Sequence, residues 1–120
     1  MASHSLVLVL SVVLVGCGGG DAGMTGSPTP QPPVVTNAVD VSDNRFEPMT
    51  ITAALASAVT WTWRGSGQHN VTFEDAQGSS STRVAGTHQR AFAVAGTYRY
   101  RCTIHSTNFA SGMVGIVTVP

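Results

Sequence analysis

The chain has 120 residues, six Arg and no Lys against six Asp and Glu, and a formal net charge of zero. That length holds one small domain at most, and without a run of like charge the chain has no basic surface for nucleic acid or for polybasic membrane binding. With 10% charged and 42% hydrophobic residues, it is neither a charge-rich disordered chain nor a charge-driven binder.

Leu6 to Val15 is an apolar run of ten residues, about half of the roughly 20 needed to span a bilayer. It reads as the apolar segment of an export signal, residues 1–16. The run ends in Leu14-Val15-Gly16-Cys17, which resembles the lipobox of bacterial lipoproteins, although Met1 to Ser5 carry no Lys or Arg. The resemblance implies cleavage before Cys17, its lipidation, and a mature protein held at a bacterial membrane by a lipid anchor alone, facing the periplasm or the cell surface. Residues 17–37 then form a linker, Gly-rich at first and Pro-rich from Pro28. A coil of that length reaches roughly 25 Å. The chain has two cysteines. Lipidation of Cys17 leaves Cys102 as a lone thiol in an oxidising compartment, where a metal is its natural occupant. The alternative is a Cys17–Cys102 disulfide, for which the tether offers no strand to aim Cys17.

From Ala38 to Pro120 the pattern has period two and is rich in β-branched and aromatic residues, with Gly, Ser, Asn and Pro between the runs. Val39 and Val41 alternate with polar neighbours, and Asn44 to Pro48 turns the chain. Met49 to Ala53 is the next run, with Met49 expected in the core. Val59, Trp61 and Trp63 share one face of a third, read as core rather than as an electron relay. His69 to Phe73 starts a strand after the Arg64 to Gln68 turn. Glu74 to Gly86 is a polar loop, followed by strands over Gln89–Val94 and Thr97–Cys102. His88 is expected to face solvent. Val114 to Val119 ends the domain. The fold expected is an all-β, two-sheet Greek-key sandwich of about seven or eight strands. At 83 residues, it buries only about 60% of its unfolded surface, so a bound metal would add needed stability.

The chemistry gathers near the C-terminus. Tyr98, Tyr100 and Cys102 fall on one strand face, with Arg99 and Arg101 on the other. His105 follows Cys102 by three, and Met113 opens the last strand. Thiol, imidazole and thioether form a soft ligand set that suits copper. Singly, each residue has a plainer reading: Cys102 as a small core residue, Met113 as a gap-filler, His69 as a surface residue.

Together, His69-Asn70-Val71, the run Gly96 to Cys102, His105 and Met113-Val114-Gly115 resemble the cupredoxins, small blue-copper proteins of the plastocyanin and pseudoazurin kind. The resemblance covers Ala38 to Pro120. It implies one copper per chain held by His69, Cys102, His105 and Met113, with the Asn70 side chain tied to Thr103 to brace the ligand loops. Seven residues separate His105 from Met113, more than in plastocyanin, pseudoazurin or amicyanin, and Phe109 within them is expected to form an apolar docking patch beside His105. The function implied is a membrane-anchored, monomeric carrier of single electrons between redox partner proteins, not itself an enzyme. The alternative is a periplasmic or surface protein that binds or delivers copper. A metal-free adhesion sandwich and a Cys102/His105 hydrolase are weaker readings, since no orienting Asp or Asn accompanies the pair.

Overall fold

The computed structural model describes residues 32–120. The signal segment, Cys17 and most of the linker lie outside the described residues. Nine strands, one or two more than expected, form two sheets with no helix among the described residues. In chain order they are β1 Val34–Val35, β2 Ala38–Ser42, β3 Arg45–Glu47, β4 Thr50–Thr52, β5 Ala58–Trp63, β6 Thr72–Phe73, β7 Thr87–Ala91, β8 Gly96–Arg101 and β9 Val114–Val119. One sheet runs β1-β4-β9-β8-β6 and the other β3-β2-β5-β7. β1 pairs parallel with β4, β4 with β9 and β2 with β5, so both sheets are mixed.

Period-two alternation selects the inner faces. Val39 and Val41 of β2, Phe46 of β3, Ile51 of β4, and Val59, Trp61 and Trp63 of β5 are buried, as are Tyr100 of β8 and Val117 and Val119 of β9. Trp61 is central, its ring 5.4 Å from Tyr100 and 5.5 Å from Phe73, both edge-on. That offset geometry adds a favourable quadrupole contact to the area buried. Gly115 leaves the room that the Tyr100 ring occupies across the β8–β9 pair.

Four local expectations change. The sandwich begins at Val34, inside the stretch read as linker, because β1 adds a short edge strand to β4. Within the expected Asn44–Pro48 turn, Arg45–Glu47 instead forms β3, and the turn shrinks to Asp43-Asn44 with Asn44 at φ 64°, a left-handed conformation that Asn tolerates. Met49 is 55% exposed, since it precedes β4 and Ile51 takes the inward position. β7 starts two residues early: its inward positions hold His88 and Arg90, both half-buried. His88 thus packs beside Trp61 at 6.2 Å and bonds the Gly78 carbonyl at 2.6 Å instead of facing solvent. The Arg90 guanidinium stacks 4.3 Å over Phe73 and makes two bonds to Asp75, at 3.0 and 2.7 Å. Arg90 is the main cause of an Asp75 carboxyl held below its ordinary value.

Candidate metal centre

Cys102 follows directly on β8. The strand's alternation turns its side chain inward beyond Tyr100, and its sulfur is fully buried. Past the strand end the chain folds back on itself through the ligand residues' own backbone. His105 N–H donates to Cys102 O at 3.3 Å, Met113 N–H to His105 O at 3.4 Å, and Cys102 N–H to Met113 O at 3.0 Å. Three predicted ligands are thereby tied to one another before any side chain is considered.

The seven-residue excursion between His105 and Met113 is internally bonded. Asn108 Oδ1 accepts from the Ala110 and Ser111 amides at 2.8 and 2.9 Å, and the buried Ser106 hydroxyl donates to the Ser111 carbonyl at 2.6 Å. Gly112 closes it at φ 81°, where a Cβ would sit 2.6 Å from the His105 carbonyl oxygen. Arg101 donates to the Ser106 carbonyl, and its guanidinium lies 5.1 Å from the Phe109 ring centre. The excursion therefore returns Met113 to a buried position, 1% exposed. Phe109 ends half-buried, while Ile104, beside His105, is 50% exposed.

His69 arrives on the segment that leads into β6, the strand beside β8 in the same sheet. Its backbone pairs with Arg83 in both directions, each bond 3.0 Å, and its carbonyl also accepts the Trp63 indole N–H at 3.2 Å. Its ring is 1% exposed. Asn70 uses its whole bonding capacity. Its Nδ2 donates to Thr103 Oγ1 at 2.8 Å and Thr82 Oγ1 at 3.1 Å, and its Oδ1 accepts from Thr103 N at 3.1 Å and Thr72 Oγ1 at 2.9 Å. The Asn70–Thr103 tie joins the His69 strand to the residue after Cys102.

His69, Cys102 and His105 present one donor atom each within 4.8 Å of one another. The two Nδ1 atoms are 3.2 Å apart, and Cys102 Sγ lies 3.9 Å from His69 Nδ1 and 3.6 Å from His105 Nδ1. The circumradius of that triangle is about 2.1 Å, so one point in the donor plane sits at roughly the 2.0–2.3 Å bond length of a first-row ion to imidazole and thiolate. Two imidazoles and a thiolate around one point form the trigonal donor set that, among such ions, suits copper. Cys102 and His69 are sealed from water, whereas His105 reaches the surface. A cleft of about 380 Å³ runs along this end, between the Asp43-Asn44 turn, Ser66 to His69, Ile104 and His105.

Sequence reading missed Asp43, Trp63 and Arg83 as supports of His69. Asp43 Oδ1 lies 3.3 Å from His69 Nε2 and accepts the Ser66 and Gly67 amides at 3.2 and 3.0 Å. The Gly67 amide, then the His69 ring, hold the Asp43 carboxyl below its ordinary value. Nothing in the spacing marks these partners, because each meets His69 across the sandwich end rather than along a strand.

The described sandwich is similar to that of a purple cupredoxin from Nitrosopumilus maritimus, with 23% identity, a TM-score of 0.58, and 69% of this chain and 98% of that one covered. It is similar to oxidised plastocyanin from the fern Dryopteris crassirhizoma, at 24% identity and a TM-score of 0.61 over 69% of this chain and 99% of that one. A methionine-to-alanine variant of amicyanin in its Cu(I) form is 26% identical, with a TM-score of 0.59 over 72% of this chain and 82% of that one. No curated protein sequence matches the chain. The sequence pattern of the plastocyanin/azurin family of copper-binding proteins matches residues 33–120, from the residue before β1 to the C-terminus. The match takes in the thiolate, both imidazoles and the methionine, and the chain belongs to that family, with copper as its cofactor.

Proposed function

We propose that this protein carries single electrons through a mononuclear type 1 copper held by His69, Cys102, His105 and Met113. The observation that carries the reading is the donor triangle, compact enough for one ion to reach all three atoms, with Cys102 and His105 joined through backbone bonds that include Met113 and His69 held by its own pairing with Arg83. A donor set that need not rearrange between oxidation states keeps reorganisation small, which is the requirement for fast transfer. Bound copper supplies the Cu(I)/Cu(II) couple. The chain's part is to hold the donors in place, to exclude water from the Cys102 sulfur, and to bring one ligand, His105, to the surface. Met113, buried and tethered through its backbone to both Cys102 and His105, would be the fourth residue to hold the copper, supplying a weak thioether donor.

The exposed Ile104 and His105, with the half-buried Phe109, form the docking surface for redox partner proteins, and the chain works as a monomer. On this reading it is a carrier and not an enzyme, its one thiol fully buried between two imidazoles. Cys17, outside the described residues, carries a lipid that anchors the exported protein at a membrane. No helix among the described residues is long and apolar enough to cross one.

Electron self-exchange between the Cu(I) and Cu(II) forms, measured beside copper transfer to a chelator or an apoprotein, tests the assignment. A carrier exchanges electrons fast and retains its metal. Slow exchange with ready release of copper would instead make the protein one that binds and delivers copper.

A further inference from the structure

Among the described residues, four of the five carboxylates face an arginine: Asp40 with Arg64, Glu47 with Arg45, Glu74 with Arg99 and Asp75 with Arg90. Asp43 is the exception and faces His69. Its placement is built from two loops. The two-residue turn between β2 and β3 lifts Asp43 over the end of the sandwich, and the segment after β5 folds around its carboxylate. The Ser66 and Gly67 amides both donate to Oδ1, and the Ser66 hydroxyl lies 3.5 Å from Oδ2. Gly65 is required there, and Gly67 leaves the carboxylate and the ring room to approach. A Cβ at Gly65 would overlap the carboxylate, and one at Gly67 would lie 3.1 Å from both Asp43 Oδ1 and His69 Nε2.

Two amide bonds thus fix the oxygen that lies 3.3 Å from His69 Nε2, while Nδ1 of the same ring points at the Cys102 sulfur and at His105. An imidazole that ligates through one nitrogen must carry its proton on the other, and a fixed acceptor at that nitrogen selects the tautomer and raises the ring's basicity. A fixed anion one ring away also favours the more highly charged oxidation state.

We infer that Asp43 is a positioning residue for the copper site: it holds His69 in the Nε2–H tautomer with Nδ1 free to ligate, and it lowers the reduction potential. The inference rests on His69 as a ligand, and the test separates the two. On the full chain, Asp43→Asn keeps an acceptor oxygen for the Ser66 and Gly67 amides and removes the charge. Asp43→Ala removes both.

Two readouts decide it. In the diamagnetic Cu(I) form, nitrogen NMR is expected to show His69 Nε2 protonated and slow to exchange in the parent protein, and exchanging at least tenfold faster in Asp43→Ala. Voltammetry is expected to show the Cu(II)-to-Cu(I) affinity ratio falling roughly three- to tenfold in Asp43→Asn, a rise in potential of about 30–60 mV. Unchanged Nε2–H exchange in Asp43→Ala, or an unchanged potential in Asp43→Asn, overturns the inference. His69→Ala retaining the parent visible spectrum would overturn the ligand assignment itself, whatever the Asp43 variants do.

Discussion

Cys102 and Met113 sit side by side in the core yet are expected to fail in different ways. Cys102→Ser keeps size and burial but loses the soft donor. It should abolish the intense visible absorption of the Cu(II) protein. Met113→Gln replaces a weak thioether with an amide oxygen, and it should keep the colour while lowering the reduction potential in voltammetry. An unchanged potential would remove Met113 from the ligand set. Tyr100, two residues before the thiol, makes a separate prediction. Burial pushes its phenol well above the ordinary 10.0, with no hydrogen-bond partner for its hydroxyl among the described residues. A folded-state value raised above the unfolded one means the stabilisation is complete below about pH 10 and is lost as pH rises beyond it. In Tyr98→Phe, with Tyr100 the remaining tyrosine, tyrosinate absorbance should appear only together with loss of circular dichroism. At this scale the sequence carries the donors, because Cys102, His105 and Met113 are close along the chain and alternation decides which way Cys102 points. Asp43 escapes such reading. It lies 26 residues from His69 and reaches it only because two separate turns meet.

Among the elements, the Asn70–Thr103 tie is the joint between the two halves of the site. Asn70→Ala removes four bonds at once, and leaving some of their partners unsatisfied should cost about 1–3 kcal/mol. Denaturant unfolding of the copper-free protein reads that loss. A midpoint shift with unchanged slope would confirm that the native fold persists. The strands themselves were legible wherever apolar alternation marks an inner face, as in β2, β5, β8 and β9. β7 was displaced in the reading because its inner positions are His88 and Arg90, which bury their stems and rings and satisfy their polar ends at Gly78 O, Gln77 O and Asp75. The apolar Phe92 and Val94, which drew the expected strand forward, lie beyond its end, one buried and one exposed. β1 was hidden by its shortness, since two valines after a Pro-rich run carry no alternation.

For the whole molecule, metal and fold are linked. The proposed donors lie just after β8, in the loop that follows, just before β9 and in the segment before β6, so copper bound to the native state and not to the unfolded chain stabilises the entire sandwich. At free copper 100 times the dissociation constant the gain is about 2.7 kcal/mol, which for a domain of this size raises Tm by roughly 10–20 °C. Calorimetry of the protein with and without copper checks this, and Cys102→Ser should lose most of the increase.

The most direct test is the visible spectrum of the copper-free protein titrated with Cu(II). If His69, Cys102 and His105 close on one ion in the plane their donors define, an intense thiolate-to-copper absorption grows to a single equivalent and disappears on reduction. A stoichiometric but colourless complex would contradict the type 1 site.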